Sequence, residues 1–141
     1  MNFLLLVSYQ QVATCKSTDV LPSLDLLEHI YLDDLPFVLS ELHRVTKKWC
    51  FLQIAVAGSG GLQGKIDKGY ILKKGEPVPI QLESCAVAGH VLVQPASFWY
   101  EWLNHEDWIP RRDMVNWFVS LVHSDNIKNW LLNMMIVLEK I

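Results

Sequence analysis

Hydrophobic positions along this chain change rhythm several times, and each change marks an element. Asp19-Val20-Leu21-Pro22-Ser23-Leu24 predicts a short buried strand, whose ladder Pro22 interrupts because it has no N–H to donate. From Leu35 onward the apolar residues fall at Leu35, Val38, Leu39, Leu42 and Val45, the 3.6-residue stripe of an amphipathic helix. Asp33 or Asp34 stands where a cap belongs, and Pro36 is tolerated in a first turn. His43, Arg44, Lys47 and Lys48 gather at the far end, where cations complement exposed carbonyls. Trp49 to Ala57 is then almost continuously apolar, broken only by Gln53. That pattern predicts a strand covered on both faces, and so helices on both sides of its sheet.

Gly58 to Gly89 has little periodicity and many Gly and Pro residues, which predicts a long excursion with a short hairpin between Tyr70-Ile71-Leu72 and Val78-Pro79-Ile80. His90-Val91-Leu92-Val93-Gln94 resumes a strand pattern. Pro95 to His105 follows as a helix with Phe98, Trp99, Trp102 and Leu103 on one apolar face. A further helix starts with Asp113 as cap and runs through Val115, Phe118, Val119 and Val122. The last apolar run, Trp130 to Leu138, fits a buried strand or a helix equally well.

Composition narrows the classes. A chain of 141 residues that is 51% hydrophobic and carries six Trp has enough apolar surface for one packed domain. A net charge of -3 provides no basic footprint for a phosphate backbone, so no nucleic-acid partner is indicated; Lys47-Lys48 and Lys73-Lys74 read as solvated pairs. Cys15, Cys50 and Cys85 form an odd set with neither a CxxC pair nor a His at ligand spacing, so reduced thiols and no metal site are expected. Phe3 to Val7 is shorter than a signal core and far short of a bilayer span, so no membrane role is indicated and a cytoplasmic location is the default.

The chemistry-bearing residues cluster at the end of the first strand. Ser23-Leu24-Asp25-Leu26-Leu27-Glu28-His29-Ile30 places a polar group where open α/β sheets bind ligands, at the carboxyl end of a strand. Glu28 and His29 supply a base or polar ligand contacts; alternatively they open a turn and face solvent while Asp25 caps the next segment. Gly58-Ser59-Gly60-Gly61-Leu62-Gln63-Gly64-Lys65 follows a strand but departs from the Walker pattern, because Ser59 and Ile66 stand where Gly and Ser or Thr belong. The five histidines lie far apart in sequence, and no nucleophile motif such as GxSxG is present. Trp99, Tyr100 and Trp102 fit either an aromatic pocket or the core.

Residues 19 to 57 resemble the second half of a class I S-adenosylmethionine-dependent methyltransferase. The likeness rests on Ser23-Leu24-Asp25-Leu26-Leu27-Glu28-His29-Ile30, on Glu41-Leu42-His43-Arg44-Val45 in the helix, and on the strand Trp49-Cys50-Phe51-Leu52-Gln53-Ile54-Ala55. It implies an α/β fold, a partial Rossmann-like sheet equivalent to strands four to seven of that family with flanking helices. Residues 19–141 would form this methyltransferase-like part, after a non-matching segment 1–18. Ser23, Leu24 and Asp25 would border the S-adenosylmethionine pocket, and Glu28 and His29 would be the catalytic candidates beside an unknown methyl acceptor. The family's first strand, its Gly-x-Gly-x-Gly turn and the acidic end of its second strand would precede Asp19, and Met1 to Thr18 contains no such motif. The expectation is therefore a truncated methyltransferase whose bare sheet edge favours self-association. The alternatives are a noncatalytic interaction module that completes its sheet with a partner, and an unrelated small α/β binding domain.

Overall fold

The computed structural model describes residues 17–58, 69–82 and 89–141. The Phe3 to Val7 run, most of the glycine-rich loop after Gly58, and both Cys15 and Cys85 lie outside the described residues. Among those residues the chain is α/β, with a mixed four-stranded sheet that does not close and four helices.

β1 (Thr18–Leu24) is followed by two single-turn 3-10 segments, Leu27–His29 and Leu32–Asp34, and by helix α1 (Leu35–Val45). The helix stripe is as the spacing predicts: Leu35, Val38, Leu39, Leu42 and Val45 are all buried. Asp34 occupies the cap position without a side-chain capping bond. The preceding turn already has helical backbone there, and the carboxylate instead pairs with Lys74 Nζ at 2.7 Å. At the other end the helix passes straight into β2 (Thr46–Gln53), where the Thr46 hydroxyl donates to the Leu42 carbonyl at 2.7 Å. Lys47 and Lys48 thus belong to the strand rather than to the helix end.

β1 and β2 run parallel, joined across α1 as a βαβ unit, with Leu21 opposite Cys50 and Leu24 opposite Gln53. β6 (Met135–Lys140) pairs antiparallel with the other side of β2, and β5 (Trp108–Pro110) pairs antiparallel with β6. The sheet order is β1-β2-β6-β5. The ambiguous last run resolves into both of its readings: helix α4 (Asp125–Met134) continues without a loop into strand β6.

Alternation along β2 divides the core into two layers. Cys50, Leu52 and Ile54 join Leu39, Leu42 and Trp99 on one face, while Trp49 and Phe51 meet Val115, Val119 and Val137 on the other. The helices supplying those residues are α1 and α2 (Ala96–Trp102) on the first face, α3 (Arg112–Ser120) and α4 on the second. Helices on both sides of the sheet follow from the almost continuous apolar run. Trp99 is fully buried, whereas Trp102 and Tyr100 are not, so that aromatic cluster divides between core and surface.

Three expected details come out differently. Tyr70 and Ile71 form β3 but pair with β4 (Leu92–Val93), while Ile80–Leu82 is a 3-10 turn. The reason is burial: Leu92 and Val93 are fully buried, whereas Ile80 is 77% exposed and has no apolar surface to cover. Gly69 permits the β3 approach, since a Cβ there would lie 2.2 Å from the Val93 carbonyl oxygen. Asp113 sits inside the first turn of α3 rather than capping it, held by the Arg111 guanidinium at 2.6 Å. Arg111 also grips Glu139 of β6 and stacks over Trp49, fastening α3 to the sheet. Val122 lies past the helix end.

Leu52, near the end of β2 with 1% exposure, and Leu121, exposed at the end of α3, provide a direct comparison. Thermal and denaturant melts are expected to show Leu52→Ala losing about 2–5 kcal/mol and Leu121→Ala changing stability by less than about 0.5 kcal/mol.

Candidate functional site

The carboxyl ends of β1 and β2 lie side by side, and there the chain leaves regular geometry. Asp25 adopts φ +49°, a left-handed conformation that Asp tolerates better than most residues. Its N–H still donates to the Gln53 carbonyl at 2.9 Å, prolonging the parallel ladder by one bond. Its carboxylate accepts from Gln53 Nε2 at 3.1 Å. Gln53, the polar residue that ends β2, is therefore the anchor of the turn that leaves β1.

That turn carries Glu28 inward. Glu28 has no exposed surface, and its Oε1 accepts the Ala55 N–H at 3.0 Å, while Oε2 is buried without a hydrogen-bond partner. Desolvation raises the carboxyl pKa from the ordinary 4.5 to about 7; backbone N–H bonds at Glu28 and Ala55 oppose the shift, and the neighbouring Asp25 carboxylate adds to it. A solvent-facing Glu28, one of the two readings of the sequence, does not occur: the 3-10 turn Leu27–His29 carries Leu27 and Glu28 inward together.

His29 stays half-buried, and its Nδ1 donates to the Gly89 carbonyl at 2.8 Å. The carbonyl accepts only, so Nδ1 carries the hydrogen and the neutral ring keeps its lone pair on Nε2. Gly89 has φ +81°, and a Cβ there would sit 3.1 Å from His29 Nδ1, so glycine is the residue that allows this contact. The Val91 N–H donates to the Glu28 carbonyl at 2.8 Å, binding the start of β4 to the same turn. This brings His90 beside His29, ring edge to ring face, with centroids 4.8 Å apart. His90 is pushed toward its neutral form by burial first and then by His29.

The sequence-derived candidates therefore separate. Asp25, Glu28 and His29 converge, joined by Gln53, Gly89 and His90. Ser23 is buried with its hydroxyl unpartnered, while Leu24, next along the strand, is 55% exposed and by alternation faces the opposite side. In the sequence Gln53 is a polar break within an apolar run from Trp49 to Ala57; in the structure it ends β2. His90 lies 61 positions from His29 and gave no local signal.

A second group lies at the opposite end of the sheet, near the start of β2. His43 stacks on His105 at 4.0 Å, with Asp107 Oδ2 3.6 Å from His43 Nε2. The two histidines edge a cleft of about 320 Å³ walled by Leu39, Trp102, Leu103 and Trp108. Lys140 donates to the His43 carbonyl at 2.7 Å and, after burial, helps hold His43 neutral.

No protein-family model, curated protein or solved structure matches the chain. The strand-end group is a buried carboxyl flanked by two imidazoles, an arrangement able to exchange a proton near neutrality or to bind a positive charge.

The Glu28 carboxyl makes stability depend on pH. The folded pKa lies above the unfolded one, so the folded state holds the extra proton between them; this contribution is complete below about 4.5 and is lost as pH rises through about 7. With EDTA present, urea melts are expected to show the wild type losing on the order of 3 kcal/mol more than Glu28→Gln between pH 4.5 and 7.5. Parallel pH profiles for the two proteins would contradict the buried, unpaired carboxyl.

Proposed function

We propose that this chain is a methyltransferase-like half-fold in which Ser23, Asp25 and Glu28 border one side of an S-adenosylmethionine pocket, with His29 on the acceptor side. The observation that carries the reading is the sheet. Taken in chain order as strands four to seven of the class I family, β1, β2, β5 and β6 give the spatial order four, five, seven, six, with the seventh, β6, alone reversed. The cluster of polar groups stands at the carboxyl ends of the parallel pair, where ligands of such sheets bind.

Methyl transfer asks mainly for alignment of the donor methyl with the acceptor lone pair, and a base is needed only where the acceptor must lose a proton. Residues fixed by main-chain bonds suit that task. Asp25 is tied to Gln53 and Glu28 to Ala55, so both carboxyls are positioned before any ligand arrives. The residues described provide one wall only. The opposite wall, with its glycine-rich turn, would come from a longer chain or a second polypeptide.

Nuclear magnetic resonance titration with S-adenosylmethionine in EDTA tests this reading. The expected result is weak, millimolar saturation with shifts at the amides of Asp25, Glu28, His29 and Gln53. No shift at those amides would remove the methyltransferase reading, and micromolar binding would overturn its one-walled form.

An interaction module is the second reading, favoured by the outer edge of β1. No described strand pairs with that edge, and Val20 and Leu24 are 48% and 55% exposed. An incoming strand would find a strand edge that no described strand pairs with, and apolar contacts beside it. Light scattering after size exclusion is expected to show association that Val20→Lys abolishes; a wild-type monomer at high concentration counts against it.

A further inference from the structure

We propose that Glu28, His29 and His90 bind a divalent transition-metal ion, with zinc the best match. The donor atoms of the three lie within 4.8 Å of one another, close enough for side-chain rotations to gather them on one ion. Glu28 gives the first independent sign. It is fully buried, one oxygen is taken by the Ala55 N–H, the other has no partner, and no Lys or Arg among the described residues pairs with it. A buried carboxylate in that position is stable only with a proton or a cation.

His29 gives the second. Metal-ligating histidines donate the N–H of their other nitrogen to a carbonyl or carboxylate, which sets the ring and directs the lone pair at the ion. The Gly89 carbonyl does this for His29, leaving Nε2 free to coordinate. Two imidazoles and one carboxylate form the three-ligand set of open zinc sites, in which the fourth position takes water or a ligand. Calcium and magnesium would want more oxygen donors than the cluster holds, even with Asp25 beside it. The second group is a poorer host: His105 Nδ1 already accepts the Asp107 N–H at 3.2 Å, and Lys140 places a positive charge beside His43.

This inference shares the strand-end site with the methyl-transfer reading but rests on the donor arrangement, so either can fail alone. The full chain, stripped with chelator, would be titrated with Zn²⁺ against a chromophoric competitor, and with Co²⁺ while the visible ligand-field bands are recorded. One equivalent binding at micromolar strength or tighter is expected, with the intense bands of a four-coordinate site. His90→Ala should weaken binding by at least roughly 100-fold, and His29→Ala should do the same, while His43→Ala and His105→Ala should leave it unchanged. Because Glu28→Gln can disturb the core, the two histidine variants, checked for native circular dichroism, carry the decision. Absence of micromolar binding, binding indifferent to both His29→Ala and His90→Ala, or binding lost with His43→Ala would each overturn the proposal.

Discussion

Two-sided burial of β2 is the constraint from which the rest of this fold follows. A strand with Cys50, Leu52 and Ile54 on one face and Trp49 and Phe51 on the other must be covered by two layers. α1 reaches the first face because it enters β2 directly, with no loop to let it drift, and Thr46 closes its last turn. α4 is tied as tightly to β6, so the helices of the second layer arrive with the strand that flanks β2 on its other side. The Cys50 thiol records how dry this centre is: burial pushes its pKa up to about 12, far from the range of a reactive cysteine.

The strand-end group depends on the same strand. Where β2 stops pairing, its free backbone groups need partners, and the turn after β1 supplies them. Asp25 takes the Gln53 side chain and carbonyl, and Glu28 takes the Ala55 N–H. These bonds explain how a carboxyl can be carried under a turn with no counter-ion. One oxygen is satisfied by the sheet, and the remaining desolvation is expressed as a pKa near neutrality. The histidines follow from a third connection, the Val91 N–H to the Glu28 carbonyl, which places β4 against the turn and His90 against His29. Structure and chemistry are thus coupled through three main-chain contacts.

Local pattern explains why some of this could be read in advance. The α1 stripe, the doubly covered β2 and the polar strand end at Asp25 and Glu28 are each built from residues close in sequence, and periodicity records such neighbourhoods. The β3–β4 pairing could not be read that way, because Val78-Pro79-Ile80 is as apolar as Leu92-Val93 and only burial separates them. The last run was ambiguous for a different reason: helix and strand abut at Met134 and Met135, and one apolar stretch serves both. His90 is the largest gap. Its role rests on a contact across a long excursion, and a residue's immediate neighbours carry no trace of such closure.

The two readings of the strand end make different demands on Glu28. For a sulfonium cofactor it is a fixed negative wall, and for a metal it is a ligand; in both, a positive charge replaces the proton that burial otherwise retains. That common demand is the stronger conclusion, because it comes from Oε2 having no partner and not from any likeness of sequence. Asp25 reinforces it. The Asp25 carboxylate adds to the cost of ionising the buried Glu28, and its left-handed backbone and its bonds to Gln53 keep it from turning away. Two carboxyls held this way, with the His29 ring fixed beside them by the Gly89 carbonyl, are the geometry on which both proposed readings draw.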